Sequence, residues 1–211
     1  MREYITDFLP KNKNAKILDI GCGPGGILQL LAQEGYANCV GVDINKEEIG
    51  ACKAKGISNV ELITDLGGYL SGKKEAFDFI NAREVIYYFP EDVIMRYLKL
   101  IKESLKPKGI FAAEVFNGAL LTGHFFKYKD YKIRHIFTEH SLKTILEDSG
   151  FKIQKIFGVQ MKRDTLKRTL WLFVRRCWIS ILKAIYILEI GAGNDRPKIW
   201  DRRIAAITVK E

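Results

Sequence analysis

Glycines and acids, more than any nucleophile, are the residues of this chain whose spacing points to chemistry. Gly21, Gly23, Gly25 and Gly26 fall in the run ILDIGCGPGG at 17–26, where a buried-strand pattern passes directly into a helical one, ILQLLAQ. Glycines at such a junction let the backbone turn tightly and come close to a ligand, with amides at the helix start directed toward it. Gly21, Gly23 and Gly26 also satisfy the G-x-G-x-x-G spacing of dinucleotide sites, a weak signal by itself. Asp43 closes the next apolar run, CVGVDI, where a carboxylate can accept hydrogen bonds from ribose hydroxyls. The loop reads as a nucleotide-cofactor cradle, and these features alone do not choose among cofactors.

Asp19, inside the first strand and two residues before the loop, makes the choice. A carboxylate there repels a pyrophosphate and suits a cofactor carrying an ammonium and a sulfonium, which argues against a nicotinamide-dependent oxidoreductase. The run D-I-G-C-G-P-G, an acid ending the second strand and an acid after the third resemble the class I S-adenosylmethionine-dependent methyltransferases over roughly residues 15–115. The resemblance implies a cofactor site made of Asp19, Gly21, Cys22 and Gly23 around the methionine part and Asp43 with Ile44 at the ribose. It further implies Asp65, with the Leu66 amide, at the adenine amino group, and Asn81 and Ala82 at the amino-acid end.

Methyl transfer from a sulfonium is an in-line displacement on an activated carbon, so positioning carries most of the burden. A general base is needed only where the acceptor is a hydroxyl or a protonated amine. The stretch REVIYYFP at 83–90 resembles the family segment in which an acid and a His or Tyr face the methyl group, which makes Glu84 and Tyr88 the catalytic candidates, with Tyr87 beside them. His124, His135 and His140 lie in the following segment, where this fold recruits substrate, although a lone loop histidine is more often a surface residue. INAREV at 80–85 lacks the Asn/Asp-Pro-Pro-aromatic pattern of base N-methylation, and no Pro-Cys nucleophile occurs. Nucleic acid is therefore the less favoured acceptor, with RNA methylation left open.

These residues need a parallel sheet to position them. Short apolar runs at 15–21, 39–44, 60–63, 77–82 and 109–116 alternate with helical patterns at 25–34, 46–54 and 91–105, the pattern of a doubly wound α/β domain. A helix at 139–149 stopped by Gly150, and strands at 151–159 and 202–209, complete it. The expectation is a single Rossmann-like methyltransferase domain over 1–211. It has a substrate-side segment at about 117–138 and a basic amphipathic helical insert at about 163–190. The resemblance implies seven strands in the order 3-2-1-4-5-7-6, the last antiparallel.

Four cysteines and three histidines show no disulfide or zinc spacing, so no metal is expected. The first residues reach Pro10 and a Lys/Asn-rich stretch without an apolar export core, which points to the cytoplasm. Charge is uneven: residues 1–120 carry 15 Lys/Arg against 16 Asp/Glu, whereas residues 121–211 carry 19 against 9, a net +10. Such one-sidedness suits an anionic partner. From Leu170, the residues Trp171, Val174, Trp178, Ile181, Ile185 and Leu188 form a helical stripe, with Arg176 and Lys183 facing away. Arg175, Arg176 and Lys183 make spanning a bilayer costly, so an in-plane helix at the inner membrane is one reading, and packing over the cleft or in a homodimer the other.

KYKDYKIRHIFTEHSLKTILEDSGF at 127–151, the basic apolar helix and the ending ILEIGAG…RRIAAITVK look like methyltransferases of bacterial surface-glycan synthesis. Where such relatives carry Asp-x-Thr-His, Asp130 is here followed by Tyr131, Lys132 and Ile133, with His135 two places on. The expected activity is methylation of a small-molecule or glycan hydroxyl, lipid-linked carriers included. An RNA methyltransferase and a non-catalytic S-adenosylmethionine-binding protein are the alternatives.

Overall fold

A computed structural model describes residues 4–121, 123–160, 166–191, 193 and 196–211. Seven strands form one sheet: β1 (Ile17–Ile20), β2 (Cys39–Asp43), β3 (Val60–Leu62), β4 (Phe77–Arg83), β5 (Leu105–Phe116), β6 (Lys152–Gly158) and β7 (Arg203–Val209). Their order is β3-β2-β1-β4-β5-β7-β6, as expected. β1 to β5 run parallel, and β7 lies antiparallel between β5 and β6. β1 is buried at all four positions, as a strand covered on both faces must be.

Helices α1 (Gly26–Gln33) and α2 (Lys46–Ala54) cover one face, packing Leu28, Leu31 and Cys52 against Ile17, Phe79 and Ile207. The other face takes α3 (Leu66–Leu70), α4 (Ile94–Ser104) and, after α5 (Gly123–Lys129), α6 (Glu139–Asp148). The side chains of α4 that meet the sheet, Ile94, Leu98 and Ile101, recur at steps of three and four. Thr138 and Ser141 close a reciprocal cap at the start of α6. An Asn117–Phe137 bridge closes the segment 117–138 at its base.

Most element limits lie within a few residues of expectation, α3 and α5 were not expected, and two differences have a structural account. β5 begins at Leu105 instead of 109, because residues 106–109 bulge out with Lys108 at φ +62° while Leu105 still pairs with Phe77. The last helix, α7, runs from Leu166 to Ile190, and residues 163–165 of the expected insert lie outside the described ones.

The side of α7 that meets the domain is not the apolar stripe. Leu182 is buried and Leu172, Arg175, Ile179 and Tyr186 are half-buried. The Arg175 guanidinium donates to the Trp200 carbonyl and pairs with Asp201 at 3.7 Å, and the Tyr186 hydroxyl donates to Ala119 O at 2.6 Å. The stripe from Trp171 to Leu188 stays exposed.

Candidate active site

The glycine loop leaves the carboxyl end of β1 and is tied to β2. Gly21 and Cys22 both donate to Val42 O, and the Gly23 amide donates to Asp43 Oδ2 at 2.9 Å. These three amides are therefore spent on β2 and do not point at a ligand. Gly21, at φ +66°, has no room for a side chain, since a Cβ would lie 2.7 Å from Val85 Cγ2. At Gly23, φ +49°, and at Gly26 the same atom would meet nothing within 4 Å, so the loop's open surface is there. The Cys22 side chain packs beside Gly41 in the core, which leaves only its backbone to line a ligand.

Asp43 accepts from Gly23 N with one oxygen and from Asn45 N with the other, at 2.9 Å each. A carboxylate oxygen accepts two hydrogen bonds, so Asp43 keeps one place on each for ribose hydroxyls. Ile44 beside it is 70 % exposed, an apolar wall at a strand end. Asp65 caps α3 by accepting from Gly68 N, and Tyr97 brings its hydroxyl to that carboxylate. Leu66 and Ala82 are buried, so only their backbone groups can face a ligand.

Asp19 and Asn81 are paired across β1 and β4, with the Asn81 amide donating to Asp19 Oδ1 at 2.6 Å. Asp19 Oδ2 and Asn81 Oδ1 are buried and accept nothing. Burial lifts the Asp19 pKa to about 7, against the opposing pull of Asn81 and the Arg83 charge. Two unfilled acceptors, one on the Asp19 carboxyl and one on the Asn81 amide, fit an ammonium and reject a phosphate.

The same face of the sheet continues into a second polar cluster. Glu84, at φ +57°, lies 2.7 Å from Arg203 Nε in an ion pair without hydrogen-bond alignment. Arg203 also meets Glu114 at 3.2 Å, and Arg83 meets Glu114 at 3.6 Å. Glu114 is 1 % exposed and neither of its oxygens accepts a well-formed hydrogen bond. Burial raises its pKa, opposed by Arg83, Tyr4 and Arg203. Every unsatisfied buried side-chain atom among the described residues belongs to Asp19, Asn81, Glu114 or Arg203. A cavity of about 550 Å³ between the start of α6 and residues 196–199 is lined by none of these four residues.

Tyr88 is exposed, donates to Asp130 Oδ2 at 3.0 Å and, through partial burial and that carboxylate, has its pKa pushed up to about 12. Its phenol is thereby held toward Asp130, in the segment that follows β5. His135 is held by the Phe89 carbonyl at 2.8 Å and ties the 83–90 stretch to the substrate-side segment, His140 is exposed on α6, and the His124 side chain lies outside the described residues. Behind Tyr88, Tyr87 stacks on Phe116, Phe116 on Phe126, and Arg202 lies over Phe126 at 4.5 Å. Arg83, Glu114 and Arg203 had no sequence signal, since each sits in an ordinary strand run, although a lone Glu inside IFAAEVF is unusual enough to have marked Glu114.

A glycine loop after β1, acids ending β2 and following β3, and β7 reversed between β5 and β6 define a methyltransferase-type site on a Rossmann-like sheet. Residues 1–156 match the family model "Methyltransferase domain", and the chain belongs to that family. Its fold is that of an S-adenosylmethionine-dependent methyltransferase from Archaeoglobus fulgidus, with TM-score 0.71 and 22 % identity over 98 % of this chain and 91 % of that one. Among curated relatives it is 31 % identical to the ubiquinone biosynthesis O-methyltransferase of Bartonella tribocorum, over 49 % of this chain and 42 % of the relative. It is 29 % identical to the ribosomal RNA large subunit methyltransferase E of Caulobacter sp., over 66 % of this chain and 69 % of the relative. The chain thus spans less than half of the first of these curated relatives.

Proposed function

We propose that the chain is an S-adenosylmethionine-dependent methyltransferase acting on a hydroxyl of a glycan or other small molecule, carriers on lipid included. The observation that supports it is the polar row along the carboxyl ends of β1, β4 and β5 and the amino end of antiparallel β7, with the open acceptors of Asp19 and Asn81 at one end and two glutamates ion-paired to Arg203 at the other. Bound S-adenosylmethionine supplies an electrophilic methyl group on a sulfonium. Asp19 and Asn81 hold the amino-acid end, Asp43 the ribose hydroxyls, and Asp65 the adenine amino group, with Ile44 against the ring. Fixing these groups aligns the methyl carbon with whatever stands over β4 and β5.

A hydroxyl acceptor must lose its proton as the new bond forms. Glu84, the more exposed of the two glutamates, receives it, with the Arg203 guanidinium 2.7 Å away to position that carboxylate. Tyr88 donates to the acceptor or to Asp130, and the Tyr87–Phe116–Phe126 stack offers an apolar wall to a ring.

Calorimetric titration with S-adenosylhomocysteine tests the cofactor: micromolar binding that weakens at least tenfold in Asp43→Ala is expected, and no binding overturns the reading. Transfer of labelled methyl from S-adenosylmethionine to sugar nucleotides and lipid-linked sugars tests the acceptor. The net +10 over residues 121–211 favours RNA as a second reading. Labelled RNA, formed with steep salt dependence and without labelled sugar, would establish that reading in place of the first.

A further inference from the structure

Among the described residues seventeen large hydrophobic side chains are exposed, and fourteen of them lie between Leu121 and Ile190. Twelve of these fall on α5 and α7, and Leu121 and Tyr131 flank α5. On α7 the stripe of Trp171, Val174, Trp178, Ile181, Ile185 and Leu188 borders the docked side without joining it. On α5, Phe125 is 63 % and Tyr128 78 % exposed. The Tyr186 hydroxyl bonded to Ala119 O fastens α7 to the base of the segment that carries α5, so both apolar surfaces border the substrate-side edge of the sheet.

We propose that α7 and α5 together seat the protein on an anionic bilayer surface, with α7 in the membrane plane. The lipid-linked acceptor named under this proposal rests on the hydroxyl-methyltransferase reading above; the surface itself does not. No described helix is long and apolar enough to cross a membrane, which leaves the in-plane arrangement for a helix so apolar outside. Tryptophan and tyrosine, apolar rings with a polar edge, are the side chains that settle at the headgroup level. Charge selects the occupant. Residues 121–211 carry 19 Lys/Arg against 9 Asp/Glu, and Lys129, Lys132, Arg176, Lys183 and Arg202 are exposed on and around these elements. A second copy would set one basic surface against another, whereas anionic headgroups attract each of these cations.

The test is co-sedimentation of the whole protein with vesicles of phosphatidylglycerol and phosphatidylcholine against vesicles of phosphatidylcholine alone. Binding at least tenfold stronger to the anionic vesicles, weakened by salt, with a blue shift of tryptophan emission, is expected. Trp171→Ser with Trp178→Ser should lower that binding about tenfold and leave S-adenosylhomocysteine affinity unchanged, which shows that the fold is intact. Failure to sediment with anionic vesicles overturns the proposal. So does a wild-type dimer that the double variant dissociates, since the stripe would then belong to a second copy. Vesicle binding without methylation of lipid-linked sugars supports the surface and overturns only the acceptor reading.

Discussion

Asp19 and Asn81 face each other with one oxygen apiece left over, and the cost of that arrangement is visible in pH. Folding lifts the Asp19 pKa from 3.8 to about 7, so between those values the folded chain holds a proton that the unfolded chain has released. Stability therefore falls as pH rises through that window and levels off above it, by up to roughly 4 kcal/mol for a shift of this size. Urea unfolding at pH 5 and pH 8 should show the larger part of this loss, roughly 3 kcal/mol, in the wild type and a much smaller one in Asp19→Asn; parallel losses would remove Asp19 as the cause. Because the ammonium partner wants the carboxylate, S-adenosylhomocysteine affinity should also rise as pH passes 7, and Asp19→Asn should flatten that rise. Asp19, Asp43 and Asp65 were legible in the sequence because each sits at a strand or loop position fixed by its neighbours along the chain. The leftover oxygens were not legible, since they depend on where β1 places Asp19 against Asn81, 62 residues away.

At the scale of elements, β7 does more than complete the sheet. Its first residue, Arg203, reaches Glu84 after β4 and Glu114 on β5, joining three strand ends that share no local sequence. Arg203→Met should leave Glu114 buried with one fewer cation and destabilise the fold by about 3 kcal/mol, read by urea unfolding. Glu114→Gln in the same background should recover part of that loss, and no recovery would mean that the pair is not what Arg203 serves. Gly21→Ala should be severe for a different reason, combining φ +66° with a clash against Val85, and should abolish S-adenosylhomocysteine binding in calorimetry. The strands and helices α1, α2, α4 and α6 were readable from apolar periodicity, α2 at both ends, whereas α3 and α5, five and seven residues long, are too short to show a period. The contact side of α7 was not readable, because the most regular apolar stripe is the exposed one, while the docked side includes Arg175, whose partner Asp201 lies 26 residues on. Glu84 was readable as an acid near the site but not as a residue at positive φ.

For the whole molecule, a ligand held by β1, β2, β3 and β4 together should stabilise all of them at once. At S-adenosylhomocysteine a hundredfold above its dissociation constant the gain is about 2.7 kcal/mol, which for a domain of this size raises Tm by roughly 5–10 °C. Scanning calorimetry checks this, and a shift absent in the wild type would mean that these strand ends do not hold the ligand together.

The strand order also dictates an order of assembly. β6 touches the sheet only through β7, and β7 emerges in synthesis after the six other strands of this sheet. Until residues 203–209 have been made, β5 ends in an open edge and β6 has nothing to pair with, so both wait as exposed, aggregation-prone strands. A nascent chain stalled before Val209 is thus a substrate for chaperones or proteases whatever the state of its glycine loop, and the seven residues of β7 decide whether this sheet closes.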